Sequence, residues 1–340
     1  MQKYSFKDDY SEGAHPEILN VLSNTNYIQT IGYGEDEFSD KARQLIKNKI
    51  QNADVDIHFV SGGTQANLLV ISSILKPYQS VIAATTAHIA VHETGAIEAT
   101  GHKINTVETT NGKLKPSDIQ GVLNFHTDEH MVMPKLVFIS NSTEIGTVYS
   151  KKELSELFTF CKKNNLYLYL DGARIASALT SESNNLNIKE VSEYTDAFYI
   201  GGTKNGALLG EAIVIKNDNL KDDFRFQMKQ KGALLAKGRL IGIQFLSLFK
   251  NDLYFDLAKH ANQTAEKLAE GIKNKGYEFF TEPVTNQIFP IFPDKLIEKL
   301  HKKYDFYVWS HTDKMHSAVR LICSWATKEE FVDKFINDLD

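Results

Sequence analysis

Leu166-Tyr167-Leu168-Tyr169-Leu170-Asp171-Gly172-Ala173-Arg174 is the stretch on which the fold turns. Five apolar residues in a row, bounded by polar ones, read as a strand buried on both faces. The run stops at an acid followed by glycine. Just upstream, Ser150-Lys151-Lys152-Glu153 is an S-x-x-E capping box, and Leu154, Leu157, Phe158 and Cys161 follow at helical spacing. A helix therefore feeds a buried strand. The same alternation recurs outward. Residues 57–60, 80–83 and 136–139 are short apolar runs, and the first enters Ser61-Gly62-Gly63-Thr64 before an apolar helical pattern. On the other side, 197–200 and 212–215 flank Gly201-Gly202-Thr203-Lys204-Asn205-Gly206. Strands alternating with helices predict an α/β fold with a mostly parallel sheet covered on both faces. Such sheets gather their sites at the carboxyl ends of strands. From about 252 to 275 a helical pattern dominates, and 277–280, 287–292 and 319–323 read as strands. This predicts a smaller α+β domain. The expected division is an N-terminal segment 1–30 packing on the small domain, a large domain 31–245 and a small domain 246–340.

Composition bounds the rest. The chain has 340 residues, 42% hydrophobic and 24% charged, as in ordinary globular proteins. The net charge of −5 gives no electrostatic reason to bind nucleic acid or an anionic membrane. Two cysteines, Cys161 and Cys323, cannot make a disulfide framework, so a reducing cytoplasm is the expected compartment. Both read as buried filler. The first nine residues lack an apolar leader pattern, and no apolar run has the length of a membrane helix.

Several residues invite chemistry. Lys204, ringed by glycines between apolar runs, has a charged form that burial disfavours; it reads either as a nucleophilic amine or as the turn lysine of a hairpin. Asp171, ending a buried strand, needs a cation: either a pyridinium nitrogen or Arg174 three residues on. Gly62, Gly63 and Thr64 stand at a helix N-terminus, where backbone N–H groups and the helix dipole favour an anion. The pattern is neither G-x-G-x-x-G nor a Walker loop. His88 and His92 at i,i+4 with Glu93 could face a metal, but the zincin order is absent and no third ligand is identifiable, so no metal site is expected. Arg320 shares a strand face with Ile322 and Ser324, and its planar fork suits a carboxylate or a rim ion pair. The basic stretch 225–239 reads as a solvated helix face or as phosphate and subunit contacts.

In order, these segments resemble the threonine aldolase / β-eliminating lyase family. The resemblance rests on Ser61-Gly62-Gly63-Thr64-Gln65-Ala66-Asn67, Ala87-His88, Asp171-Gly172-Ala173-Arg174, Thr203-Lys204 and Arg320-Leu321, with Asp9-Tyr10-Ser11 and Tyr33-Gly34-Glu35-Asp36 in support. It spans roughly residues 8–327. It implies an aspartate aminotransferase-like three-layer sandwich of pyridoxal-phosphate fold type I, with pyridoxal 5'-phosphate as cofactor. Lys204 would carry the cofactor's Schiff base, Asp171 would pair with the pyridine nitrogen and His88 would stack on the ring. Gly62, Gly63 and Thr64 would hold the phosphate, with Thr203 beside the lysine and Lys229 as a loose further match. Arg174 would reach the cofactor's phenolic oxygen or the substrate carboxylate, and Ser11 and Arg320 would complete carboxylate binding. The implied reaction splits the Cα–Cβ bond of a β-hydroxy-α-amino acid of the L-threonine or L-allo-threonine type into glycine and an aldehyde. His88 is the first candidate for the base and Glu144 the second. β-Elimination, racemisation or transamination on the same fold is the alternative, and a non-catalytic relative another. A homodimer at least, and a homotetramer by analogy, is the implied assembly. Two departures mark a divergent branch. Many members carry E-N-T-H where this chain reads Ser140-Asn141-Ser142-Thr143-Glu144, and G-G-G-M-R is replaced by Lys231-Gly232-Ala233-Leu234-Leu235-Ala236-Lys237.

Overall fold

A computed structural model describes residues 3–339. Its main sheet has seven strands: β1 (Asp56–Val60), β2 (Gln79–Ala84), β3 (Ile104–Val107), β4 (Met133–Ser140), β5 (Tyr167–Asp171), β6 (Ala197–Gly201) and β7 (Glu211–Ile215), in the order β1-β7-β6-β5-β4-β2-β3. Neighbours are parallel except at β7, which runs antiparallel to both β1 and β6. The uninterrupted apolar runs follow from burial of both faces. Leu168, Leu170, Phe198 and Ile200 enter one core, whereas Tyr169, Ala197 and Tyr199 enter the core on the other face. The capping box holds as read: Ser150 and Glu153 close the start of the helix Lys151–Lys163, which buries Leu154, Leu157 and Cys161.

A third core lies under a small antiparallel sheet in which His316–Ile322 pairs with Tyr307–His311 on one side and with Gln287–Ile288 and Ile291–Pro293 on the other. The helix Leu253–Asn274 joins the two parts. Tyr254, Leu257 and Ala258 belong to the core of the main sheet, and Ala265, Leu268 and Ile272 to that of the small sheet.

The structure departs from the sequence reading in several places. Strand β3 and Tyr307–His311 were not foreseen; three of the five residues of Tyr307–His311 are exposed and its pattern gives no apolar run. Residues 277–280 make only one bridge, Phe279 to Pro290, and 287–292 splits into two strands. The N-terminal segment divides its loyalties. Tyr4–Ser5 pairs with Tyr304–Asp305 and Phe6 enters the small core, whereas Ala14 and Ile18 of the following segment enter the large one. The basic stretch 225–239 is a short helix, Phe224–Gln230, then a loop into the helix Arg239–Phe249. Arg225 there pairs with Glu35 at 3.0 Å, and Arg239 donates to the carbonyl oxygens of Asn26 and Ile28. Both cysteines are buried and unpaired, and burial pushes each thiol up to about 12. No helix among the described residues is long and apolar enough to cross a membrane.

Candidate active site

The carboxyl ends of β5 and β6 and the start of the helix Gly63–Ile74 meet at one place. Asp171, the last residue of β5, is buried. Its Oδ1 accepts from the Tyr199 hydroxyl at 2.6 Å and from the Ala173 N–H at 3.0 Å, and its Oδ2 accepts from Asn67 Nδ2 at 3.0 Å. A carboxylate has about four acceptor positions, so these three donors leave one on Oδ2. Asn67 itself is fully used. Its other amide hydrogen goes to Glu93 Oε1 at 2.7 Å, and its Oδ1 accepts from the Tyr169 hydroxyl at 3.0 Å.

Lys204 lies in the loop joining the antiparallel pair β6 and β7, so the hairpin reading describes the local chain correctly. The loop is pinned. Gly202 N–H donates to Glu211 Oε2 at 2.8 Å, and Asn205 Nδ2 donates to the Tyr254 carbonyl at 2.6 Å. Gly206 sits at φ +91, where a side chain would be strained and a Cβ would meet Leu257 at 2.6 Å. Burial pulls the Lys204 ammonium below its ordinary pKa and the Arg174 guanidinium pulls it further, against the carboxylates of Asp9, Asp171 and Glu211. Lysine, acid and arginine thus share one electrostatic neighbourhood. Burial also pushes the Glu211 carboxyl up to about 7.

Thr203 turns its hydroxyl inward. Its Oγ1 accepts from the Gly210 N–H at 3.0 Å and bonds to Glu211. Gly62 begins the helix Gly63–Ile74 with no side-chain cap, and a Cβ there would meet nothing within 4 Å. At Gly63 a Cβ would lie 2.9 Å from Tyr199 Oη. Exposed Thr64 follows in the first turn. Uncapped N–H groups opening onto free space suit an anion.

His88 begins the one-turn helix His88–Val91 beyond the end of β2. Its Nδ1 meets Glu93 Oε1 at 2.8 Å, and its backbone N–H donates to Glu144 Oε1 at 2.9 Å. The Glu144 carboxyl is raised by burial and by Asp171, against a 2.7 Å bond from Ser140. His92 stands 5.5 Å from His88, ring to ring. No group of metal-ligating side chains is present among the described residues.

The two arginines differ. Arg174 does not pair with Asp171. Its Nε and one terminal nitrogen grip Asp9 at 2.7 and 2.9 Å, and Asn286 adds a third bond to Asp9 at 3.0 Å. Burial alone would raise the Asp9 carboxyl, but Arg174 and Lys204 overcome it and hold it below its ordinary range. Arg320 is held loosely. It donates to the Lys7 carbonyl at 3.4 Å, stands 3.5 Å from Asp8 Oδ1, and lies against the rings of Tyr307 and Trp309. Its buried Nε has no hydrogen-bond partner among the described residues, and neither has Asp8 Oδ1. Ser11 is exposed, and Asp8 and Asp9 are the residues that face the arginines.

Lys204, Asp171, Thr203, Arg174, Gly62, Gly63, Thr64 and His88 therefore converge on the strand ends, with Arg320 approaching from the small sheet. Sequence reasoning missed Asn67, Tyr199 and Glu211 as supports. It quoted Asp9 only for resemblance and weighed Glu93 only as a metal ligand. Alternation along β6 puts Tyr199 on the side of Tyr169, and that was the one signal available for it.

The strand order and the site at the strand ends define an aspartate aminotransferase-like α/β protein of fold type I. An aspartate aminotransferase variant of Thermus thermophilus has this fold at a TM-score of 0.73, 15% identity and coverage of 99% of this chain and 90% of that one. The chain belongs to the beta-eliminating lyase family, which matches residues 28–294. A low specificity L-threonine aldolase of a Pseudomonas species is 31% identical over 99% of this chain and 97% of that protein. The structure of a Leishmania major threonine aldolase is similar at a TM-score of 0.98 and 46% identity, covering 99% of this chain and 98% of that one.

Proposed function

We propose that this chain is a pyridoxal-phosphate-dependent aldehyde-lyase that cleaves the Cα–Cβ bond of a threonine-type β-hydroxy-α-amino acid to glycine and an aldehyde. The observation that carries the reading is the pairing of a lysine whose charge is disfavoured with a carboxylate that keeps one acceptor position open. The residues fit the cofactor on three counts: the free acceptor on Asp171 Oδ2, the uncapped helix start at Gly62, and the depressed Lys204 amine. When bound, pyridoxal phosphate supplies an aldehyde that condenses with amines and a ring that takes up the electron pair of the broken bond.

The protein's residues do the rest. Lys204, poorer in protons than an exposed lysine, would hold the cofactor through its amine and would be free to take or give a proton once a substrate amine had displaced it. Asp171 accepts the pyridine N–H and keeps that proton in place. Gly62, Gly63 and Thr64 hold the phosphate, with Thr203 bracing the lysine's loop through Glu211. Arg320, with donors unspent, binds the substrate carboxylate and fixes which bond stands perpendicular to the ring. Arg174, already committed to Asp9, supplies a fixed positive field at the lysine. His88 would flank the cofactor and would take the proton of the β-hydroxyl at Nε2. The family names of the relatives support the same substrate class. Exposed Tyr27, Ile31, Leu208 and Phe226 favour burial against a second copy, as a dimer or a tetramer of it.

The test is a visible spectrum of the protein with added cofactor, before and after threonine, with product analysis. Glycine plus acetaldehyde supports the reading. A keto acid plus ammonia moves it to elimination, and a protein that takes up no cofactor overturns it.

A further inference from the structure

We propose that Glu93 is the positioning residue that sets the tautomer and basicity of His88, an assignment that rests on His88 being the base described above. Glu93 is wholly enclosed, its side chain 0% exposed. Its Oε1 receives two donors, His88 Nδ1 at 2.8 Å and Asn67 Nδ2 at 2.7 Å. A carboxylate only accepts, so the ring proton sits on Nδ1 and Nε2 is left with its lone pair. The backbone that carries the ring is fixed separately. It is held by Glu144, and His92 N–H closes the turn onto the His88 carbonyl at 2.8 Å.

Asn67 is fixed as well. Its oxygen is taken by Tyr169, and its two hydrogens are taken by Glu93 and Asp171. The result is one buried chain, His88–Glu93–Asn67–Asp171–Tyr199, with every link between 2.6 and 3.0 Å. It joins the group that would handle the substrate proton to the group that would hold the pyridine nitrogen. Charges on all sides bear on an imidazolium at His88. His92 stands beside it, and burial together with the charges of His88, Arg320 and Lys204 disfavours a cation at His92. Glu144 and, through Asn67, Asp171 lie on the favourable side. Glu93 alone of these carboxylates touches the ring. In the step itself the hydroxyl proton moves to Nε2 and stops there. Nδ1 keeps its hydrogen and Glu93 remains a carboxylate.

Glu93→Gln is the test, on the cofactor-loaded enzyme. A glutamine oxygen in the place of Oε1 still accepts from both Nδ1 and Asn67, so the Nδ1–H tautomer stays and what is lost is the negative charge beside the ring; Glu93→Leu removes the acceptor as well. The expected result is retained visible absorbance, a fall in kcat on the order of 10²-fold or more, and little change in KM. Nitrogen NMR of histidine-labelled protein, assigned against His88→Asn, should show an Nδ1–H ring in the wild type and in Glu93→Gln, and loss of that fixed tautomer in Glu93→Leu, where no acceptor remains. Loss of the carboxylate charge beside the ring should move the acid limb of the kcat/KM profile to lower pH in both variants. Glu93→Asp should recover part of the kcat and part of the profile. A His88 tautomer unchanged in Glu93→Leu overturns the proposal, as does a loss of kcat that merely tracks loss of bound cofactor. If the wild type binds cofactor but leaves threonine intact, the preceding reading fails, and the NMR comparison still decides whether Glu93 governs His88.

Discussion

Arg174 and Arg320 are buried to nearly the same degree, with side chains 13% and 15% exposed, yet they are satisfied in opposite ways. Arg174 meets its carboxylate edge to edge, and Asn286 anchors that carboxylate from behind. Arg320 meets Asp8 at 3.5 Å without hydrogen-bond geometry and keeps a buried Nε unspent. Burial therefore does not tell a structural cation from a receptor; the count of unpaired donors does. The N-terminal strap of residues 7–11 carries this difference, because it delivers Asp9 to one arginine and only Asp8 to the other.

The largest expected effect removes the amine on which Arg174 acts. Lys204→Ala should abolish both the absorbance of the lysine–cofactor Schiff base and threonine cleavage, and a variant that keeps either breaks the comparison at its centre. Next, Asp9→Ala strands Arg174 and should cost about 3–5 kcal/mol in denaturant unfolding. This loss has a pH signature. The Asp9 carboxyl is held below its ordinary value, so its contribution is complete above the ordinary carboxylate range and disappears as the pH falls through the lowered one. The gap between wild type and Asp9→Ala should therefore close in acid. Arg320→Lys should leave stability near wild type but raise KM about 10- to 100-fold, the worth of one or two charged hydrogen bonds. Asp8→Asn releases a competing internal carboxylate and should lower KM by about two- to fivefold, as befits a weak ion pair. Ser11→Ala should change neither KM nor stability. A rise in KM for Ser11→Ala comparable with that of Arg320→Lys would return the serine to the carboxylate site.

Much of this was legible from residues 150–174 and 197–215. Capping, periodicity and buried runs are local signals, and they located the helix Lys151–Lys163 and strands β5 to β7 to within a residue or two. The strand ends followed from topology. The partner of Arg174 was not legible, because Asp9 lies 165 residues away and an acid three residues distant offers itself first. Asp9 also lies on a strap with no periodic pattern. Asn67 and Tyr199 were hidden for another reason: each sits in an apolar run that reads as core, and its polar end matters only once Asp171 is brought above it.

The helix Leu253–Asn274 carries one further consequence. Its first turn is bolted to the lysine's loop, since the Tyr254 hydroxyl donates to the Gly201 carbonyl at 2.9 Å and the Tyr254 carbonyl accepts from Asn205. Its last turns are embedded beside the strand that bears Arg320. A rigid rod so fastened at both ends behaves as a lever. A shift of the small sheet would therefore be felt in the backbone on either side of Lys204.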